Sequence, residues 1–486
     1  MPSLSTVDED RTAVDAVLAD AGHVDEAFAA RLDAGFPELH AAFARAYGAA
    51  PEGRERLTGA VGAASASWNA RALDLKAFGL RRGADWLEGA VGASCYADRY
   101  AGNLAGLVDQ VPRLRELHVS LLHLVDPFAV DGDRIDQRRI SPALGSLTRL
   151  ADVAAALCLS GVSLLLDLDG ADPVDVALDA LFLANHGVAA FRVDPAVDLI
   201  AALLALGAPG TAVLARARPV PLWEALATGD ARMLQDAVDR ATEPGTRVVR
   251  DADAVRWDFT DADADAHGYA PHAHREWLTA FLTGKVAGSP ARGVRAGDGV
   301  AGTTASLAGV EADDPLGVAR VILAHAITLG LPGTPLVWLG DEVAQLNDPS
   351  YRDDPARRDD PRWIHRGQQP RDRYAARRDP ATAAGRVFAA LTALTAARAA
   401  APEFRGTVLL PFHVPDAAVV GFQRPTSGSV VLVLGNCSPD SVRVDAQTLS
   451  GFPPAAHDVV TGAETDLSDG LILPPCGAAW LRLASR

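Results

Sequence analysis

The 486-residue chain has few cysteines, few methionines and an excess of acidic over basic residues. Its four cysteines, at positions 95, 158, 437 and 476, form no CxxC pair, so we expect a reducing compartment and no metal site. The formal net charge of −17 argues against a nucleic-acid partner, because phosphate backbones are bound by basic surfaces. No apolar run is long enough to span a bilayer, and the N-terminus lacks the features of a signal peptide. We therefore expect a cytoplasmic protein with no cofactor and no nucleic-acid or membrane partner.

No GxGxxG motif follows a predicted strand, which argues against a dinucleotide-binding crevice. Instead, the chain has three regions of different composition, in keeping with two or three domains for its length. Residues 1–90 contain alanine-rich amphipathic stretches with few β-branched runs, which predict a helical N-terminal domain. Thr6 and Glu9 at its start have the spacing of a capping box.

Residues 91–402 alternate short apolar runs with helical patterns, and the apolar runs end in charged residues. Continuous apolar runs are typical of buried parallel strands, and helices between them indicate βαβ units. Charges at the strand ends suit a (β/α)8 TIM-type barrel, whose active site lies at the carboxyl ends of its strands. A doubly wound sheet is the alternative. The predicted strands lie within 119–126, 162–169, 188–194, 211–218, 246–253 and 334–342.

The final region, residues 403–486, alternates short β-type runs with Pro, Gly, Ser and Asp turns. This pattern predicts an antiparallel β-sandwich. Before it, the polar, Arg- and Asp-rich segment 343–380 follows the last predicted barrel strand. A long loop in that place is usually functional or disordered.

Chemistry is first suggested by GVAAFRVDPA, residues 187–196. Side chains two residues apart in a strand share a face, so Arg192 and Asp194 are expected to project together. Asp194 is then either a catalytic nucleophile or half of a structural ion pair.

Five stretches in this order resemble the amylosucrase branch of the α-amylase family, glycoside hydrolase family 13. They are CYADRYAGNLAGLVDQVP (95–112), SPALGSLTRLADV (141–153), LFLANHGVAAFRVD (181–194), LVWLGDEVAQLND (336–348) and DDPRWIHR (359–366). The resemblance extends over nearly the whole chain and implies a retaining α-glucosidase or glucosyltransferase. In such enzymes an aspartate attacks the anomeric carbon and a glutamate protonates the departing oxygen.

The resemblance assigns roles to six residues. Asp194 matches the nucleophile, Arg192 the arginine that positions it, and Asp253 the aspartate that stabilises the transition state. Asp131 and Arg362 match a pair that closes the base of the glucose pocket, and Asp167 matches the aspartate of the first family motif. The alternatives are an inherited ion pair for Asp194 and Arg192, a surface Asp/Ala repeat for Asp253, and a tie between two loops for Asp131 and Arg362.

Other positions depart from the family pattern. Arg216 occupies the place of the general acid, and Ala252 and Asp172 replace two expected histidines. The pocket tyrosine expected shortly after Asp131 is missing. The domain usually inserted after the third strand, with its calcium site, is absent, and the fifth helix and sixth strand are shortened to PVPL, so we expect a trimmed barrel.

Several charged residues have simpler interpretations. Glu224 follows Trp223 in a helical pattern and is expected to face solvent, whereas Glu342 matches a structural glutamate. The histidines at 267, 272 and 274 are expected on a solvated loop, because their surroundings lack the glycine placement of a calcium loop.

Three functions remain compatible with these residues. The first is a catalytically impaired pseudoenzyme that binds an α-glucoside of the sucrose or glucan type, or an unknown protein partner. The second uses Asp194 as the nucleophile on an activated donor that needs no general acid. The third has a relocated acid, with Asp131, Asp172 or Glu342 as candidates. Arg216 is expected to pair with Asp194 or Asp253, which would steady that carboxylate as an ion.

Overall fold

A computed structural model describes residues 7–20, 22, 24–48, 51–83, 85–132, 134–194, 196–216, 219–241 and 245–484. The N-terminal region is helical, as predicted; Thr6 of the proposed capping box lies outside the described residues. Its helices are α1 (Val7–Asp20), α2 (Glu26–Tyr47), α3 (Pro51–Ala70) and α4 (Leu73–Arg81).

The longest of these helices, α2, shows how the sequence specifies the region. Asp25 caps it by accepting hydrogen bonds from the backbone N–H groups of residues 27 and 28. Phe28, Leu32, Phe36 and Leu39 recur at helical spacing and are buried. The apolar stripe packs α2 against a later helix, while its charged face meets water.

Residues 92–400 alternate strands and helices. The strands are β1 (Gly92–Cys95), β2 (Leu121–Leu124), β3 (Phe128–Asp131), β4 (Arg134–Ile140), β5 (Ser163–Asp167), β6 (Ala190–Arg192), β7 (Ala212–Leu214), β8 (Thr246–Arg247), β9 (Val294–Ala296), β10 (Gly299–Ala301) and β11 (Thr334–Trp338). The helices are α5 (Ala97–Tyr100), α6 (Val111–Glu116), α7 (Leu147–Leu159), α8 (Pro173–Ala184), α9 (Val197–Gly207), α10 (Leu222–Thr228), α11 (Arg232–Asp239), α12 (Asp261–Ala266), α13 (Pro271–Leu282), α14 (Thr304–Ala308), α15 (Gly317–Gly330), α16 (Arg371–Ala376) and α17 (Ala383–Ala400).

The chain divides into two compact units. The first comprises residues 1–87, 96–111 and 121–216, and the second comprises residues 88–95, 112–120 and 217–486. In the first unit, β2, β5, β6 and β7 pair in parallel in that order. In the second, β1, β11 and β8 pair in parallel. Among the described residues, seven strands thus take part in parallel pairing. A complete (β/α)8 barrel has eight such strands.

The C-terminal region is antiparallel, as predicted. Its strands are β12 (Leu410–Pro411), β13 (Val419–Pro425), β14 (Ser429–Asn436), β15 (Val442–Val444), β16 (Ala455–Asp458), β17 (Glu464–Asp466), β18 (Leu471–Leu473) and β19 (Ala478–Ala484). Six form one sheet in the order β12-β13-β14-β19-β16-β17, and β15 pairs with β18. Leu432, Leu434, Leu481 and Leu483 belong to the core of this region.

The polar segment 343–380 has defined local structure. It contains short 3-10 helices over Pro349–Asp353 and Pro361–His365, followed by α16. Asp348 and Asp360 cap the two 3-10 helices through their side chains. In the described part of the chain, no helix combines the length and the apolar character needed to cross a membrane.

We predict that Gly207→Ala destabilises the first unit. A Cβ atom at Gly207, on α9, would lie 2.6 Å from Leu181 Cδ2 and 2.8 Å from the Ala64 carbonyl oxygen on α3. Overpacking of this kind costs about 1–3 kcal/mol. The matched control is Gly59→Ala on α3, where a Cβ meets nothing within 4 Å, so helix propensity should raise stability slightly. Urea unfolding that ranks the two variants equally would contradict this account of the packing.

Candidate active site at the strand ends

Four charged or polar side chains gather at the carboxyl ends of the parallel strands in the first unit. Asp167 ends β5 and Arg192 ends β6, and the strand register sets these two residues side by side. His123 lies within β2, next to β5. Arg216 follows β7, two residues beyond Leu214, which is the register partner of Arg192. The parallel pairing thus brings together residues that are up to 93 positions apart in the sequence.

Asp167 is the centre of this cluster. Arg192 binds it with both arms of the guanidinium, Nε to Oδ1 at 2.7 Å and Nη2 to Oδ2 at 2.6 Å. His123 Nε2 lies 3.1 Å from Oδ1, and Arg216 Nη2 lies 3.6 Å from Oδ2. Fork-to-carboxylate geometry of the Arg192 type is among the strongest polar contacts in proteins. One carboxylate therefore serves three basic side chains.

The electrostatics fix the charge states of the pair His123 and Asp167. Burial alone would raise the pKa of Asp167, but its contacts with His123 and Arg192 outweigh burial and hold that pKa well below the usual range. Burial lowers the pKa of His123 below its ordinary value, because the imidazole is almost completely enclosed. Asp167 is accordingly an anion at neutral pH, and burial favours the neutral form of His123.

Asp194 does not pair with Arg192 as expected. The strand ends at Arg192, so the rule that alternate side chains share a face does not extend to Asp194. Both bidentate contacts of Arg192 go to Asp167. Asp194 is exposed, and no described residue forms a hydrogen bond or ion pair with its side chain. The structural-pair interpretation of these two residues is wrong; the role of Asp194 as nucleophile stays a prediction.

Arg216 also has a different partner from the one expected. Instead of Asp194 or Asp253, it contacts Asp167. The side chain of Arg216 remains 42% exposed, so this third contact is weaker than that of Arg192, which is 7% exposed. Asp167 was assigned only through a family motif, and His123 was missed. A histidine inside an otherwise apolar strand run was the signal that could have identified it.

The second unit has a carboxylate cluster of its own. Asp253 Oδ1 accepts hydrogen bonds from Arg362 Nη1 at 3.0 Å and from Arg366 Nη2 at 3.2 Å. Arg362 also binds Asp360, and these acidic neighbours raise the pKa of its guanidinium. Asp253 therefore has specific arginine partners, which argues against a mere surface repeat. Arg366, in the motif DDPRWIHR, was not singled out in the sequence.

Asp131 ends β3, in the β3–β4 hairpin, and is exposed. Its proposed role with Arg362 at the base of a glucose pocket stays a prediction. Among the described residues, no group of three His, Cys, Asp or Glu side chains is arranged to hold a metal ion.

Two of the candidates for a relocated general acid, Asp172 and Glu342, are held by hydrogen bonds to neighbouring residues. Asp172 caps α8 by accepting from the backbone N–H of Val174, and it also accepts from Tyr47 Oη and pairs with Arg56. Burial opposes ionisation of Asp172, but these hydrogen bonds outweigh it and lower its pKa. An acid that is ionised and already bonded in this way is not a proton donor.

Glu342 is fully buried, accepting from Tyr374 Oη and from the backbone N–H of Gly340. Burial raises its pKa to about 7. At neutral pH its carboxyl is therefore partly protonated, but its side chain is enclosed. This agrees with the structural role that the sequence indicated.

Glu224 was expected to face solvent, and that prediction is wrong. It is 3% exposed and lies 3.1 Å from His274 Nε2. His274 is not on a solvated loop either; it is buried in α13 and stacks on Tyr269, with ring centroids 4.0 Å apart. His267, in contrast, caps α12 and contacts Asp236. Glu224 is buried because its partner His274, 50 residues later in the sequence, packs against it. The local sequence pattern around Glu224 does not reveal this contact.

Solved structures resemble the fold as a whole. An alpha-amylase from Geobacillus thermoleovorans is 12% identical, with a TM-score of 0.52, and the match covers 82% of this chain and 99% of that one. Isomaltulose synthase from Klebsiella sp. LX3 is 12% identical, with a TM-score of 0.54 and the same coverages. A cyclic alpha-maltosyl-(1→6)-maltose hydrolase from Arthrobacter globiformis is 16% identical, with a TM-score of 0.52, and the match covers 82% of this chain and 100% of that one. No protein-family model matches the chain.

The chain has the α-amylase fold. This confirms the predicted TIM-type barrel with an antiparallel C-terminal region, and the doubly wound sheet is wrong. Enzymes with a (β/α)8 barrel have their active sites at the carboxyl ends of the strands. Asp167, Arg192 and Arg216 lie at such strand ends in the first unit, so they form a candidate site.

We predict that Asp167→Asn lowers the free energy of unfolding by about 3 kcal/mol at pH 7, because it leaves Arg192 buried without its counter-ion. The native pKa of Asp167 is depressed, so its stabilisation is present above the unfolded pKa of about 4 and is lost as the pH falls towards the native value. Urea unfolding of wild type and variant at several pH values measures this. Asp194→Asn, at an exposed position, is the control and should change stability by less than about 0.5 kcal/mol. An equal loss in both variants would contradict the central role of Asp167.

The contribution of Glu342 to stability should change with pH in the opposite direction to that of Asp167, and the variant Glu342→Gln tests this. The native pKa of Glu342, about 7, lies above its ordinary value of 4.5, so its contribution to stability is fully present below 4.5 and is lost as the pH rises through 7. Relative to Glu342→Gln, wild type should lose on the order of 3 kcal/mol between these pH values. The control is Glu311→Gln at an exposed position, whose stability curve should parallel that of wild type. Parallel curves for Glu342→Gln and wild type would show that the carboxyl does not titrate as described.

Proposed function

We propose that the chain is a catalytically impaired, amylosucrase-like protein that binds an α-glucoside at the strand ends without cleaving it at ordinary enzyme rates. One observation carries the proposal: Arg216 follows β7, where the resemblance expects the general acid, and its guanidinium lies 3.6 Å from Asp167. Arginine stays protonated in proteins and cannot pass its proton to a leaving group. The position is thus filled by a fixed cation.

The loss of the acid has a large kinetic cost. General acid catalysis contributes roughly 10²–10⁴-fold, and the alkoxide leaving group of a glucoside depends on it. Two other candidate acids, Asp172 and Glu342, are already engaged in hydrogen bonds with neighbouring residues. Asp194 also lacks the positioning contact with Arg192 that the family pattern implies. Each departure lowers turnover further.

Binding of a sugar without efficient cleavage is supported by the exposed polar groups that remain. Asp194 is exposed and Arg216 is 42% exposed, so both side chains of the first unit can hydrogen-bond sugar hydroxyls. Proteins of the same fold were solved with α-glucosides, one with maltose and another with sucrose. We extend this ligand class to the present chain. A protein partner is the alternative occupant and becomes the favoured one if no glucoside binds.

A second candidate function has its own support. Asp194 is exposed and unpaired among the described residues, so its carboxylate is available as a nucleophile. A donor with a good leaving group needs no general acid. Release of fluoride from α-glucosyl fluoride, abolished by Asp194→Ala, would establish this activity.

We predict that wild type and Asp194→Ala release fructose from sucrose at the same background rate. Turnover near 1 s⁻¹ or faster, the lower end of ordinary enzymes, would overturn the impaired-enzyme proposal. Isothermal titration with sucrose and with maltotriose tests binding separately, and failure of both sugars to bind would overturn the glucoside proposal.

Arg216→Glu places a carboxyl where the resemblance expects the acid. We predict that it raises fructose release above the wild-type background. Arg149→Glu is the matched control, since Arg149 is an exposed arginine on α7, and it should leave the rate unchanged. Equal rates in the two variants would contradict the assignment of the acid position to Arg216.

A further inference from the structure

A pocket lies at the amino ends of the parallel strands of the first unit, opposite the Asp167 cluster. Its volume is about 440 Å³, within the range of small-molecule sites. Ser163, which begins β5, and Thr211, which precedes β7, line it. Asp167 ends β5, four residues after Ser163, so the pocket is about 13 Å from the Asp167 cluster. It is therefore distinct from the proposed glucoside site.

The pocket is basic in a chain that is strongly acidic overall. Three arginines and one aspartate line it: Arg71, Arg81, Arg82 and Asp74. No described carboxylate forms an ion pair with Arg71 or Arg82, although Asp74, exposed at the rim, attracts Arg71 from a distance. Burial lowers the pKa of each of these two guanidinium groups to about 10, so both remain cations at neutral pH. Buried cations are normally paired, and the described residues supply no paired carboxylate to either guanidinium.

Arg82 is held in place with donors to spare. Its Nη2 donates to Ser163 Oγ at 2.7 Å, and its guanidinium lies over the Trp86 ring, 3.2 Å from the centroid. A guanidinium has five N–H donors, and the described contacts occupy one of them. Arg71 is held more deeply: its Nη1 donates to the Ala184 carbonyl and to Asn185 Oδ1, while its buried Nε has no partner among the described residues.

Several other lining residues are apolar. Ala151, Ala154 and Ala155 of α7 line the pocket, and so does Phe78 of α4. At the same pocket, Leu159 is 90% exposed, an unusual state for a leucine. A ligand with an apolar body would cover these surfaces, and its burial would be favourable.

We propose that this pocket binds a small organic carboxylate with a short aliphatic body. The carboxylate pairs with the free N–H donors of Arg82, whose planar fork matches the two carboxylate oxygens. The aliphatic body lies against Phe78 and the lining alanines of α7. Inorganic phosphate satisfies the cations but leaves this apolar wall exposed, and a neutral alcohol does the reverse.

The test is isothermal titration of the full chain with hexanoate, 1-hexanol and inorganic phosphate. Hexanoate should bind saturably with one site and at least tenfold more tightly than either other probe, because a charge-assisted hydrogen bond and apolar burial act together. Binding should also change Trp86 fluorescence, and Trp86→Phe should remove that change. Absence of saturable hexanoate binding, or phosphate binding as tightly as hexanoate, overturns the proposal.

Two variants locate the site. Arg82→Gln removes the cation and should weaken hexanoate binding about tenfold or more, whereas Arg149→Gln, an exposed arginine on α7, should leave it unchanged. Ala155→Phe adds bulk at an exposed lining position and should block binding without removing a charge or a core contact. This second variant keeps the test decisive if Arg82→Gln fails to fold. Hexanoate affinity equal to wild type in Ala155→Phe overturns the location. Because sucrose and maltotriose binding is measured separately, failure here leaves the glucoside proposal unaffected.

Discussion

The bidentate contact between Arg192 and Asp167 is the interaction on which the strand-end cluster depends. It joins the last residues of two neighbouring parallel strands, so it is available only in the register that β5 and β6 adopt. Both side chains are largely withdrawn from water, and removing Asp167 would leave Arg192 as an uncompensated buried charge. The ion pair thus couples the register of the sheet to the electrostatics of the site.

That same contact determines what the neighbouring residues can do. Arg192 uses its fork on Asp167 and is not available to hold Asp194, which follows the end of the strand. Arg216 adds a second guanidinium to the same carboxylate, so the cluster has more positive than negative charge. A cluster with surplus cations favours electronegative ligand atoms such as sugar oxygens, and it provides no proton donor of the strength that glycosidic cleavage requires.

The sequence predicted the elements whose signal is local. Continuous apolar runs identified β2, β5, β6, β7 and β11, because a strand covered on both faces needs apolar side chains throughout. It overestimated where strands end: the run 246–253 contains only the two-residue β8, and 188–194 ends as a strand at Arg192. The turn of the chain after Arg192, with Ala196 in a left-handed conformation, is not visible in an alternating pattern.

Contacts between distant residues were the other source of error. The sequence predicted that Glu224 is an exposed helical residue. In the fold it is buried against His274, which lies 50 positions later in the chain. Asp167 looked like one motif aspartate among several until His123, Arg192 and Arg216 converged on it. From sequence alone a charged residue is predicted to be exposed, because burying an unpaired charge costs free energy. The partner that would offset this cost is brought close only by the topology of the fold. The residue types and the strand ends were predictable, but the pairing among them was not.

Charge compensation differs between the two ends of the strands in the first unit. At the carboxyl ends, Arg192 is fully matched by Asp167, and the cost of burying the guanidinium is met within the protein. At the amino ends, Arg71 and Arg82 are buried or half-buried with hydrogen bonds to neutral oxygens alone. Neutral acceptors stabilise a guanidinium less than a carboxylate does. Burial lowers the pKa of each arginine, and none of these acceptors offsets that effect as a paired carboxylate would. The proposed carboxylate would recover this electrostatic stabilisation, and for that reason we place the charged ligand at the amino ends of the strands.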